Sequence, residues 1–257
     1  MLRIRVIPCL LLKGQGLVKT VKYKDPKYVG DPINAIKIFN DKEVDELMLL
    51  DITASVEGRG PSFEIIKDVA SECFMPLAYG GGIRNLDDIR RILATGVEKV
   101  VLNTAAIGNP ELIQRAAQEF GSQAIVVSID VKKRLFGGYE VMSARGSRKT
   151  GFDPVSFAKR VVELGAGELL VSAIDRDGMQ QGYDLELVEQ VTSAVNVPVI
   201  SSGGAASVDD FIQVCAKSGA AAVAAGSMFV FTGPHRAVLI TYPTKDQLRP
   251  LWHAERK

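Results

Sequence analysis

The second half of this 257-residue chain repeats the first at a constant offset of 122 residues. Asp31-Pro32 aligns with Asp153-Pro154, Glu46-Leu47 with Glu168-Leu169, Gly60 with Gly182, and Pro76 with Pro198. Gly81-Gly82 likewise aligns with Gly203-Gly204, and Asp87-Asp88 with Asp209-Asp210. An offset that survives strands, loops and helices alike implies two similar halves, each built from the same series of units.

The units are readable. Short Val/Ile/Leu runs near 4–11, 46–51, 76–79, 98–102, 124–130, 168–174, 198–201 and 221–225 alternate with helical patterns such as Ile33–Lys42, Ser62–Glu72, Leu86–Ala94, Pro110–Glu119 and Pro154–Leu164. The runs are apolar throughout rather than alternating, as strands covered on both faces are. Eight βα units in this length predict a (β/α)8 TIM barrel, one domain over 1–257 with half-barrels of about 1–122 and 123–257. A doubly wound open sheet also alternates strand and helix, but it gives no reason for a repeat at half the chain.

Composition narrows the function. A net charge of +1 argues against a general binder of nucleic acid or of membrane surfaces. No apolar run reaches the ~18 residues that would cross a bilayer, and no small-residue cleavage site follows Arg3 and Arg5. Cys9, Cys73 and Cys215 are widely spaced, as reduced thiols of a cytoplasmic protein are. His235 and His253 are the only histidines and neither sits in a Cys/His cluster, so no metal site and no cofactor is implied.

In barrels the chemistry sits at the C-terminal ends of the strands. Two loops there are glycine-rich, containing Gly81 and Gly82 after the third strand and Gly203 and Gly204 after the seventh. The following strands end in Asn103-Thr104 and Gly226-Ser227. Glycines let backbone N–H groups approach an anion, and a helix N-terminus adds its positive end. Two such places suit a small molecule phosphorylated at both ends; tight turns are the competing reading. Carboxylates at strand ends are Asp51, Asp130, Asp175 and Asp177. Asp130 and Asp177 make the best acid–base pair, against structural roles such as capping or orienting Arg176. The segment 13–28 reads as a long loop containing Lys13, Lys19, Lys22, Lys24 and Lys27, with Lys19 the residue to close over an anion. Arg145, Arg148 and Lys149 are similar candidates after the fifth strand. At the opposite end, Arg5, Glu46, Lys99 and Glu168 stand at the starts of strands, where a charged ring reads either as structural or as a gate on the barrel axis.

These stretches, with Leu50-Asp51-Ile52-Thr53-Ala54-Ser55, Gly80-Gly81-Gly82-Ile83-Arg84, Gly121-Ser122-Gln123-Ala124 and Ile174-Asp175-Arg176-Asp177-Gly178, resemble HisF, the cyclase subunit of imidazole glycerol phosphate synthase, over nearly the whole chain. The resemblance implies a HisH-like glutaminase docked on the barrel bottom as a heterodimer. Ammonia would pass the gate Arg5, Glu46, Lys99 and Glu168, and phosphates would sit on the glycine loops. Asp130, Asp177 and Lys19 match functional residues of the family. One position departs from it. Where the family has a catalytic aspartate this chain has Leu11, in the run Leu10-Leu11-Leu12-Lys13. Together with Lys19-Thr20-Val21-Lys22-Tyr23-Lys24, that run is similar to a HisF-like branch linked to acetamidino modification of bacterial surface sugars, with a sugar amidotransferase as a further partner. A histidine-pathway cyclase and a non-catalytic activator of the glutaminase are the alternatives.

Overall fold

A computed structural model describes residues 3–233 and 235–253. Eight strands form the barrel wall: β1 (Arg5–Lys13), β2 (Leu47–Asp51), β3 (Leu77–Gly80), β4 (Lys99–Leu102), β5 (Ile125–Lys133), β6 (Glu168–Ala173), β7 (Val199–Ser202) and β8 (Ala222–Ala225). Every neighbour pair is parallel, and β8 pairs back onto β1 through Arg5↔Ala222 to Pro8↔Ala225, which closes the sheet. The fold is the (β/α)8 barrel that the apolar runs and the repeat predict.

Both faces of each strand are buried, which is why the runs are apolar without alternation. On β1, Val6, Leu10 and Leu12 pack toward the helices, while Ile7 and Cys9 join Met48, Val101, Val126, Leu170 and Ile200 in a separate cluster inside the barrel. The lumen is therefore lined by apolar side chains, as the interior of a small closed barrel is.

Among the described residues, eight helices wrap the wall: α1 (Pro32–Asp41), α2 (Phe63–Glu72), α3 (Leu86–Leu93), α4 (Glu111–Phe120), α5 (Pro154–Glu163), α6 (Leu185–Thr192), α7 (Val208–Ser218) and α8 (Lys245–His253). The repeated Asp-Pro pairs start α1 and α5. Asp31 accepts from the Asn34 N–H and Asp153 from the Ser156 N–H, each at 2.9 Å, with proline at the first helical turn where its missing N–H costs nothing. Asp153→Ala is expected to lower stability by about 1 kcal/mol in urea unfolding, with no change in the barrel's far-UV signature.

The segment 13–28 differs from the expected loop. It is an antiparallel hairpin, Gly16–Val21 with Lys24–Gly30, whose first strand folds back on the end of β1 and pairs with it antiparallel through Leu11↔Val18, Leu12↔Leu17 and Lys13↔Gly16. Leu17, Val18, Lys19 and Thr20 are all buried, so the alternating lysines concealed a strand. The loop after β5 is built the same way, with β5 pairing antiparallel to Tyr139–Ser143. Cys9 and Cys215 are buried thiols and Cys73 is a half-buried one. Among the described residues, no helix is long and apolar enough to cross a membrane.

Candidate functional site

At the N-terminal end of the barrel, Arg5, Glu46, Lys99 and Glu168 converge from four strands into a closed ring. The Arg5 guanidinium donates to both Glu46 and Glu168, and the Lys99 ammonium bonds Glu46 at 3.0 and 3.1 Å and Glu168 at 2.9 Å. The two glutamates are almost wholly buried, at 3% and 7% side-chain exposure, so their charges are held by the two cations rather than by water. Burial by itself disfavours the Arg5 charge, but attraction to Glu168 and Glu46 exceeds it and raises the guanidinium above its ordinary value. The ring closes the axial end of the apolar lumen.

At the opposite end, the lumen opens into one cavity that both glycine loops, Asp130, Asp177, Lys19 and Leu11 all line. The glycines are there for backbone approach. A Cβ at Gly81 (φ +116°) would lie 2.3 Å from the Asp51 carbonyl oxygen, and one at Gly203 (φ +90°) 2.8 Å from that of Ala173. The strand ends beside them share one conformation. Asn103 has φ −125° and ψ −80°, Gly226 has φ −123° and ψ −67°, and each starts a short helical turn, Thr104–Gly108 or Ser227–Val230. Gly82, Thr104, Gly204 and Ser227 complete two cradles at two places in the same cavity.

Asp130 ends the lumen side of β5 and is 8% exposed. Its Oδ1 accepts from the Ser128 hydroxyl at 3.0 Å and the Tyr23 hydroxyl at 3.1 Å. Burial raises its pKa to about 6, against the opposing hydrogen bonds from Ser128 and Tyr23. A carboxyl so placed can hold or release a proton near neutrality. Asp177, in the loop after β6, accepts from the Thr20 hydroxyl at 2.6 Å and the Tyr23 N–H at 3.1 Å. Lys19 reaches in from the hairpin, and its ammonium donates to the Cys9 carbonyl at 2.5 Å. Burial lowers its pKa while Cys9 and Asp177 oppose the change. A Cβ at Gly226 would lie 1.9 Å from Lys19 Nζ, so a side chain there would have to displace the lysine ammonium from its present place.

The Asp130 shift yields a stability prediction. The folded pKa of about 6 lies above the ordinary 3.8, so the folded state binds more protons across that window and stability falls as pH rises through it. Asp130→Asn removes the penalty of a buried charge. It is expected to raise stability at pH 7.5 by about 2–3 kcal/mol, a gain that shrinks below pH 6 and vanishes near pH 4 in denaturant titrations.

Other candidates fall outside this cavity's chemistry. Asp51, which also touches the cavity, is spent on a fork with Arg59 at 2.9 and 3.1 Å and on the N–H groups of Thr53 and Ala54, which fold the loop after β2. Asp175 accepts from the Lys133 N–H at 2.8 Å, and Arg176 donates to the carbonyls of Gln181 and Gly182. Arg145 lines the cavity, whereas Arg148 and Lys149 are exposed and do not. Leu11 packs with Leu50 onto the luminal cluster, extending the apolar wall to the mouth. Tyr23, Thr20 and Ser128 are site residues the sequence reading passed over. The one signal for Tyr23 was an aromatic residue inside a lysine-rich segment. Among the described residues no group of His, Cys, Asp and Glu is placed to hold a metal ion.

Comparison with known proteins follows the same lines. Residues 5–234 match the family model described as histidine biosynthesis protein. The chain is 56% identical over 248 residues to a Pseudomonas aeruginosa protein provisionally named imidazole glycerol phosphate synthase subunit hisF2, covering 96% of this chain and 99% of that one. It is 50% identical over 248 residues to a Vibrio vulnificus protein provisionally named subunit hisF3, covering 96% and 95%. It is 48% identical over 232 residues to the imidazole glycerol phosphate synthase subunit HisF of Caulobacter vibrioides, covering 90% and 89%.

Proposed function

Because the chain belongs to the histidine-biosynthesis family of imidazole glycerol phosphate synthase HisF subunits, we propose that it is the barrel subunit of a cytoplasmic glutamine amidotransferase complex. A HisH-like glutaminase docks at the ring of Arg5, Glu46, Lys99 and Glu168, and ammonia moves through the apolar lumen to the mouth. There the ammonia serves amidino modification of a surface-polysaccharide sugar by a separate sugar amidotransferase, rather than closure of an imidazole ring.

The observation that carries this reading is the contrast between the two ends of the barrel. All four ring residues are in place and mutually paired. At the mouth, by comparison, Leu11 is part of the apolar wall of the cavity that Asp130 also lines. Ring closure needs proton transfers that an alkyl side chain cannot make. Ammonia transit needs only a dry, uncharged path, which Leu11 lengthens. A working histidine-pathway cyclase is the second reading, favoured by the two cradles, Asp130, Asp177 and Lys19 in one cavity.

The test is reconstitution with the glutaminase encoded beside this chain. The complex is expected to raise glutamine hydrolysis over the glutaminase alone and to form no imidazole glycerol phosphate from the family's bisphosphorylated ribonucleotide. Absence of any binding or stimulation removes the amidotransferase reading. Product formation at the rate of the Caulobacter vibrioides relative, run alongside, establishes the histidine-pathway reading in its place.

A further inference from the structure

The hairpin that follows β5 ends in an apolar point. β5 pairs with Tyr139–Ser143 as far as Lys133↔Tyr139. Beyond that pair Arg134 to Gly138 form the turn, closed by the Arg134 N–H on the Gly138 carbonyl at 3.0 Å. Gly137 and Gly138, at φ 93° and 76°, supply the left-handed backbone that such a turn needs. Leu135 and Phe136 at its apex take no part in that, and polar residues would serve there as well. They are 91% and 97% exposed, the two most exposed large apolar side chains among the described residues. Single apolar residues scattered over a surface are ordinary, but two neighbours held in water at a projecting tip are not.

The surroundings of the tip are basic. Residues 132–149 hold six lysines and arginines against Glu140, and residues 13–30 hold five lysines against Asp25, whereas the whole chain stands at +1. The rest of the molecule is therefore net acidic, and the small total hides a polarised charge distribution. The two basic hairpins meet over the barrel mouth, where Arg145 Nε donates to the Tyr23 carbonyl at 3.2 Å. Carboxylates near the tip neutralise it loosely: Arg134 and Lys149 each stand 3.9 Å from the one Glu140, and Lys133 stands 3.7 Å from Asp184. A convex apolar apex with cations set just behind it suits a lipid interface. Acyl chains receive the apolar pair there while anionic headgroups meet the lysines and arginines. A protein partner would need a pocket shaped to this point, and a bilayer does not.

We propose that Leu135 and Phe136 insert into an anionic lipid surface and that the two basic hairpins seat the barrel on it mouth first. The acidic remainder of the molecule is repelled from the same surface, which sets the orientation. The contact is peripheral, since among the described residues no helix is long and apolar enough to cross a membrane. It concerns this chain alone, so its failure leaves the amidotransferase reading untouched.

Sedimentation with lipid vesicles tests the tip. The intact chain is expected to co-sediment with vesicles of two parts phosphatidylcholine to one of phosphatidylglycerol, not with phosphatidylcholine alone, and to be released by high salt. Leu135→Ser combined with Phe136→Ser is expected to weaken partitioning roughly tenfold, with an unchanged thermal midpoint because neither side chain is packed. Lys132→Gln and Arg134→Gln are expected to weaken it roughly fivefold for each cation removed. Phe74→Ser, at 84% exposure before the start of β3 and so at the opposite end of the barrel, is expected to bind as wild type does. The emission of Phe136→Trp, read over that of Trp252, is expected to shift to the blue on the anionic vesicles, as an indole leaving water does. An equal loss in Phe74→Ser, or binding with unshifted Phe136→Trp emission, would overturn the insertion. Absence of co-sedimentation with the anionic vesicles would also overturn it and leave the apex to a protein partner.

Discussion

Replacing Lys99 by glutamate is expected to destabilise the barrel by about 3–5 kcal/mol and to separate glutamine hydrolysis from ammonia delivery. The ring holds two cations against two carboxylates, and Glu46 and Glu168 are both nearly sealed from water. The substitution leaves Arg5 alone among three carboxylates. Removing one partner of a buried ion pair costs far more than the pair contributes, because the remaining charge has neither solvent nor counter-charge. In the reconstituted complex, hydrolysis is expected to continue while ammonia appears in bulk solution rather than in product. Lys99→Met provides the comparison, since it removes the cation without adding a third carboxylate. If Lys99→Glu folds as stably as wild type and delivers ammonia as efficiently, the ring is neither a buried network nor a gate.

The second large effect concerns Leu11. Supplied with ammonium and the family's ribonucleotide, the wild-type chain is expected to form imidazole product about 10²–10⁴-fold more slowly than the Caulobacter vibrioides relative, the range one general acid–base group contributes. Leu11→Asp is expected to recover a trace of turnover, because Asp130, Asp177 and Lys19 already share the cavity. Full recovery is not expected. The new carboxylate would replace a side chain packed with Leu50 on the luminal cluster, at a stability cost of up to a few kcal/mol. It would also push Asp130 further toward its protonated form, as like charges in a shared site do. Folding is therefore followed by thermal melts beside activity. A wild-type rate matching the relative would show that Leu11 is no obstacle to ring closure.

The sequence alone determined the architecture, because the features that encode it are local and repeated. Short apolar runs, Asp-Pro pairs that start α1 and α5, and paired glycines after β3 and β7 each act over a few residues. A constant offset then ties one half to the other. The same logic put the four charged residues at one end of the barrel and both glycine-rich loops at the other, since a barrel brings equivalent strand ends together whatever lies between them. What only the tertiary structure decided are contacts between loops. The lysine-rich segment is a hairpin in which Leu17 and Val18 pair with Leu12 and Leu11 at the end of β1 and are buried, a burial that the run of lysines does not announce. Lys19 is buried and Tyr23 lies on Asp130 because the hairpin, the loop after β5 and the loop after β6 meet over one mouth. Strand ends are placed by backbone pairing, whose period a sequence carries. The reach of side chains across converging loops depends on where each loop lands, and that is settled only when the barrel closes.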